Sequence, residues 1–138
     1  MDHFNFKHGE LFCEDVPIKN IAEKYGTPAY VYSRATLLRH LDVYQKSLER
    51  LNGMVCFSVK ALSNLSILKL LNEYGSGFDI VSGGELHRCI KAGIDPQKII
   101  FSGVGKSADE IAFALKVGIL SFNVESESEL KRIYQISK

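Results

Sequence analysis

From Val55 onward, apolar and polar positions repeat in one order: a short apolar run, a polar cap, a segment with apolar residues every three or four positions, then a glycine. Four runs have the length and the β-branched and aromatic content of strands: VCFSV at 55–59, FDIV at 78–81, IIFS at 99–102 and LSFNV at 120–124. Their starts lie 23, 21 and 21 residues apart, a spacing that suits successive βα units. Three of the four are followed by Ser-x-x-Glu, at Ser82 to Glu85, Ser107 to Glu110 and Ser126 to Glu129. Each is expected to form a capping box, the serine accepting from an N–H of the first helical turn while the glutamate reaches back. Gly75, Gly93 and Gly118 each follow a periodic segment, where a left-handed residue ends a helix.

Runs this apolar, with little strict alternation, predict a parallel sheet covered on both faces. Consecutive βα units then leave a doubly wound sheet or a (β/α)8 barrel. SVKALSN, after the first run, lacks the glycine fingerprint of dinucleotide-binding sheets, so the expected fold class is α/β, a TIM-type barrel. A whole barrel takes roughly 250 residues, and the last periodic segment (Leu130, Ile133, Tyr134) reaches Lys138 without a glycine stop. The expectation is about the first four βα units of a longer protein.

The preceding residues read differently. Pro17, Ile18, Ile21, Ala22 and Tyr25, closed by Gly26, predict a short capped helix; Thr27-Pro28 marks a break, and AYVY at 29–32 reads as a strand. Leu37, Leu38, Leu41, Tyr44, Leu48 and Leu51 share one helical face, with Ser33 as N-cap. Residues 1–33 are therefore expected to be a leader packed on a barrel portion, 34–138, rather than an independent domain.

Composition narrows the function classes. The 138 residues are 46% hydrophobic and 24% charged, with a net charge of +1. That balance carries no electrostatic footprint for nucleic acid or an anionic membrane. No apolar run approaches the ~18 residues of a membrane span, and MDHFNFKHGE is too polar for a signal-peptide core, so a cytoplasmic protein is expected. Cys13, Cys56 and Cys89 are odd in number and far apart, as reduced structural thiols are. His3, His8, His40 and His87 show no ligand spacing, and no metal site is expected.

FSGVGKS at 101–107 contains the GK-Ser half of a phosphate-binding loop, but the glycine required five positions before Gly105 is Ile100. A tight turn with Ser107 as cap accounts for it. Asp79, inside FDIV, is costly to bury unless paired; it is either a structural aspartate or part of a site. Lys60 ends the first strand. A strand-terminal lysine usually snorkels to water, but the C-terminal ends of barrel strands are where catalytic groups collect. A partly desolvated lysine favours its neutral amine, a nucleophile towards carbonyls, which points to Schiff-base chemistry with a carbonyl substrate or with pyridoxal phosphate. Sequential barrel strands are neighbours, so Lys60 and Asp79 are expected to face one site.

YGTPAYVYS at 25–33, VKA around Lys60, SNLSILKLL, GFDIVSGGEL at 77–86, KAGI, IIFSGVGKS and FNVESESEL at 122–130 together resemble the alanine-racemase-like barrels of pyridoxal-phosphate enzymes. Within them the chain resembles the diaminopimelate decarboxylase branch; SGGEL, FSGVGK and FNVES are its more specific motifs. The resemblance implies pyridoxal 5'-phosphate in Schiff-base linkage to Lys60, with Asp79 beside it. It also implies decarboxylation of a small amino acid, meso-2,6-diaminopimelate, to L-lysine and CO2. It further implies a homodimer in the full-length enzyme, with the phosphate site, the partner of the ring nitrogen and a β-domain beyond Lys138. The usual Tyr-Ala-Val-Lys-Ala-Asn is altered here by Phe57, Ser58 and Leu62. Two rival readings are a half-barrel without catalysis and a cofactor-binding module without decarboxylase activity.

Overall fold

The computed structural model describes residues 2–138. The chain divides into two compact units, residues 1–47 and 48–138.

The first unit holds an antiparallel meander that the sequence reading missed: β1 (Phe4–Lys7), β2 (Glu10–Cys13) and β3 (Val16–Pro17). Its signal is present in the chain, because Phe4 and Phe6 alternate with Asn5 and Lys7 before a His-Gly pair. His8 (φ 53°) and Gly9 (φ 82°) close a two-residue hairpin between Lys7 and Glu10, the left-handed pair that matches strand twist. Helix α1 (Ile18–Tyr25) follows, ended by Gly26 as expected, although Pro17 at its start supplies no side-chain cap. AYVY is not a strand: residues 29–32 join no ladder among the described residues, and Tyr30 is 92% exposed. An apolar run without a ladder partner has no reason to stay extended in a sheet.

Helix α2 (Arg34–Leu48) is capped by Ser33, whose Oγ accepts from the Thr36 N–H at 3.0 Å. Glu14, in the β2–β3 turn, adds a second acceptor, taking the Ala35 N–H at 2.8 Å and the Ser33 hydroxyl at 2.7 Å. Those two donors, Ala35 first, hold the Glu14 carboxyl below the usual range. Of the apolar positions foreseen on α2, Leu41 alone is buried within the helix, and Leu51 lies beyond its end in a single 3-10 turn.

The second unit is four βα units in sequence: β4 (Cys56–Ser58) with α3 (Leu65–Glu73), β5 (Gly77–Ile80) with α4 (Gly83–Lys91), β6 (Ile99–Phe101) with α5 (Ala108–Val117), and β7 (Ser121–Phe122) with α6 (Glu127–Ile136). All four foreseen strands are in place. They pair in parallel in the order β4-β5-β6-β7. A doubly wound sheet reverses its order at a switch point; this one never reverses, as a barrel wall must not.

Register places Phe78, Ile80, Ile99 and Phe101 on one face, all fully buried. Leu68 and Leu71 of α3, Leu86 and Cys89 of α4, and Ile111 and Ala114 of α5 are buried with them. Each large side chain so buried contributes about 1.5–3 kcal/mol. The opposite face carries Ser58, Asp79 and Ile100, only half-buried. The expectation of a sheet covered on both faces is met on one, because four strands cannot close round their inner face.

The helix punctuation follows the sequence with one revision. Gly75, Gly93 and Gly118 have φ of 84°, 78° and 74°, as helix-ending residues in the left-handed region. Each predicted serine caps its helix, accepting from the N–H of Glu85, Glu110 or Glu129. Only Ser107–Glu110 closes a full capping box. Glu85 reaches one residue further back, to the Val81 N–H at 2.8 Å, and Glu129 does the same to Glu125. The first of the four βα units uses Asn64, whose Oδ1 accepts from Ser66 and Ile67.

Glu110 also links successive βα units: its Oε1 accepts the Gly83 N–H at 2.7 Å. A Cβ at Gly83 would sit 2.9 Å from the Glu110 Cγ, so a side chain there would push out the acceptor. The Gly83 N–H, then that of Ser107, hold the Glu110 carboxyl below its ordinary 4.5. A folded value below the unfolded one means the contribution is complete above about pH 4.5 and is lost as pH falls through the folded value. Glu110→Gln is expected to cost about 1–2 kcal/mol at neutral pH and to flatten the acid limb of stability. Urea titrations from pH 7 to 3 test it; curves that superimpose on wild type would remove Glu110 from the account.

Among the described residues, no helix is long and apolar enough to cross a membrane.

Candidate functional site

Strand β4 ends at Ser58, and Lys60 stands in the middle of a single 3-10 turn, Val59–Ala61. Val59 points into the core, fully buried, while Lys60 is exposed. The partly desolvated lysine expected from the sequence is therefore not found in this chain. Within the second unit, four parallel strands cannot close round their inner face, which leaves that side of the strand end open. The Lys60 amine has no hydrogen-bond or ion-pair partner among the described residues, so it is available for chemistry.

Asp79 lies on the adjacent strand, directly in register with Ser58. It is half-buried rather than deep, and its Oδ1 accepts from the hydroxyl of Ser102 at 2.5 Å. Ser102 follows β6 and is held there by its N–H to the Ile80 carbonyl, 2.8 Å. Its hydroxyl in turn accepts from Nδ2 of Asn123, 2.9 Å, just past β7. Three consecutive strand ends thus contribute to one polar chain, all at the C-terminal side of the sheet. Ser58 Oγ is buried without a hydrogen-bond partner. Burial, with a contribution from the Asp79 carboxylate, pushes the Cys56 thiol up. Cys89, in the core, is pushed up to about 12 by burial, aided by Glu85, which keeps it an unreactive thiol. All three cysteines are free, as expected.

Sequence reasoning overlooked Lys106. It was set aside with the phosphate-loop motif, yet it is 5% exposed. Its Nζ donates to the Gly103 carbonyl at 2.7 Å, the Asn123 carbonyl at 2.9 Å and Glu129 Oε1 at 2.7 Å. All three ammonium protons are used, none on a phosphate. The only sequence signal is a lysine before a capping serine, and its partner lies 23 residues on.

Taken together, a singly wound run of parallel βα units, with a partnerless lysine amine and a hydrogen-bonded carboxylate at the strand ends, defines part of a β/α barrel with a lysine at the C-terminal side of its first strand. The chain belongs to the pyridoxal-dependent decarboxylases, matching their pyridoxal binding domain over residues 34–138. It is 51% identical over 137 residues to diaminopimelate decarboxylase of Haemophilus influenzae, covering 99% of this chain and 33% of that protein. It is 54% identical over 127 residues to the same enzyme of Neisseria meningitidis serogroup B, covering 92% and 31%. The crystal structure of diaminopimelate decarboxylase from M. jannaschii with L-lysine superposes with a TM-score of 0.91 at 34% identity, over 96% of this chain and 32% of that one. The Helicobacter pylori enzyme complexed with L-lysine gives 0.80 at 45% identity, over 86% and 30%. The chain spans about a third of the length of the curated relatives it matches.

Proposed function

We propose that this chain carries the cofactor lysine of a pyridoxal-phosphate-dependent decarboxylase, whose full-length form converts meso-2,6-diaminopimelate to L-lysine and CO2. The observation that carries the reading is the partnerless Lys60 amine at the end of β4, next to the strand that holds Asp79. The residues fit the group: a free amine for its aldehyde, a fixed carboxylate for a proton-bearing neighbour, and in Ser58 a hydroxyl without a partner. The identity to diaminopimelate decarboxylases favours this over the rival readings without decarboxylase activity.

Lys60 would hold the cofactor covalently through Nζ, its amine being free of other partners. Asp79, oriented by Ser102, accepts a proton-bearing group beside it. When bound, pyridoxal phosphate supplies a ring that takes up the electron pair left when CO2 departs. The inner-face apolar residue Ile100, in register with Asp79, helps to exclude water there. We take residues 1–33 as a leader and 34–138 as barrel, a division supported by the extent of the family match. We also take the full-length enzyme to be a cytoplasmic homodimer, as the family resemblance implies, and to bind neither nucleic acid nor membrane, which the near-neutral charge of this chain supports.

The test is lysine and CO2 release from meso-diaminopimelate by the full-length protein with pyridoxal phosphate. Release is expected from that protein and none from the 138-residue chain. A full-length protein that binds the cofactor but releases neither product would sink the substrate assignment.

A further inference from the structure

The polar chain at the strand ends has a fixed direction. A serine hydroxyl has one proton to give. Asn123 Nδ2 carries only donors, so Ser102 Oγ must accept from it, and the Ser102 proton is left to point at Asp79 Oδ1. The order of protons therefore runs from Asn123 to Ser102 to Asp79, and Asp79 is held as an acceptor.

Asn123 is itself exposed, and an exposed amide at a strand end would ordinarily sample several rotamers. Its backbone is pinned instead. The Asn123 N–H donates to the Phe101 carbonyl at 2.9 Å, and its carbonyl accepts from the buried Lys106 ammonium. Lys106 is locked by Glu129, with side-chain exposures of 1% and 10%. The same ammonium holds the Gly103 carbonyl, next to Ser102, and the Gly103 N–H donates to Glu125. One buried cation thus holds the backbone at Asn123 and at Gly103, the residue after Ser102.

We propose that Asn123, anchored through Lys106 and Glu129, is a positioning residue that sets the proton order towards Asp79, so that Asp79 meets the cofactor as a hydrogen-bond acceptor. The part concerning the cofactor rests on the function proposed above; the proton order itself does not.

Two readouts in the full-length protein separate these parts. In the cofactor-free state, Ser102→Ala is expected to speed hydrogen exchange of the Asn123 side-chain amide about threefold or more, the size of one lost hydrogen bond. An unchanged rate would overturn the relay whether or not cofactor binds. With pyridoxal phosphate, followed by absorbance titration, Asn123→Asp keeps the shape but removes the donor. It is expected to weaken binding about three- to tenfold, as Ser102→Ala does, while Ser102→Thr, which restores the hydroxyl, recovers it. A packing role predicts the reverse ranking, with Asn123→Asp harmless, and that outcome would overturn the proposal. If wild type binds no cofactor while the exchange result holds, the proposed function fails and the relay stands.

Discussion

In the full-length protein, Lys60→Ala is expected to leave no pyridoxyl label after borohydride reduction and no measurable lysine production. The reasoning starts from local structure. The 3-10 turn at Val59–Ala61 buries Val59 completely and so turns the next side chain away from the core. The Lys60 amine is left without a partner, and no other lysine is placed alike. Lys106, the lysine nearest the same strand ends by chain position, has its three protons committed to two carbonyls and a carboxylate. It cannot stand in. Alanine at position 60 leaves the Val59 packing intact, so the variant should fold and fail only in covalent attachment. Reduction with borohydride followed by peptide mapping checks it; an equal label in the variant would remove Lys60 from the central role.

The largest effect on stability is expected at the buried ion pair. Lys106→Met matches the length of the side chain but leaves Glu129 and two carbonyls without their donor. Breaking a buried pair from one side costs about 3–5 kcal/mol, because the remaining charge is uncompensated. With a urea slope of about 1–3 kcal/mol per molar, the midpoint should fall by more than about 1 M. Adding Glu129→Leu to Lys106→Met should recover part of that loss, since no isolated charge is then buried. Recovery will be incomplete, because the Gly103 and Asn123 carbonyls still lack Lys106. A midpoint unchanged in Lys106→Met would mean that the pair is solvated and holds little.

The two lysines show how far the sequence reaches. Lys60 was legible because it ends an apolar run whose successors repeat at a constant spacing, which fixes the end of the barrel on which it stands. Its exposure was not legible, since that depends on what covers the inner face of the sheet. Lys106 looked like half of a phosphate loop or part of a tight turn before Ser107. Its partner Glu129 sits in the next βα unit, and both had already been assigned local roles, Glu129 as a capping glutamate. The Asp79 carboxylate posed the right question, a buried charge in need of a partner. The answer, Ser102 and Asn123, came from two later strand ends that only parallel pairing in register brings together.

The amino-acid sequence by itself determined the four βα units, their serine caps and glycine ends, and the strand end that carries Lys60. These are set by period, cap chemistry and left-handed φ, all of which act within a few residues. It failed at AYVY and at the N-terminal meander because a strand exists only with a partner, and pairing is a long-range matter. Only the tertiary structure decided which glutamates reach beyond their own helix, that Lys106 is buried, and that Asn123, Ser102 and Asp79 form one directed chain. The contacts of Glu110 with Gly83, Ser102 with Asp79, Lys106 with Glu129 and Asn123 with Ser102 join residues 21 or more positions apart, where nothing in the local sequence encodes the distance between them.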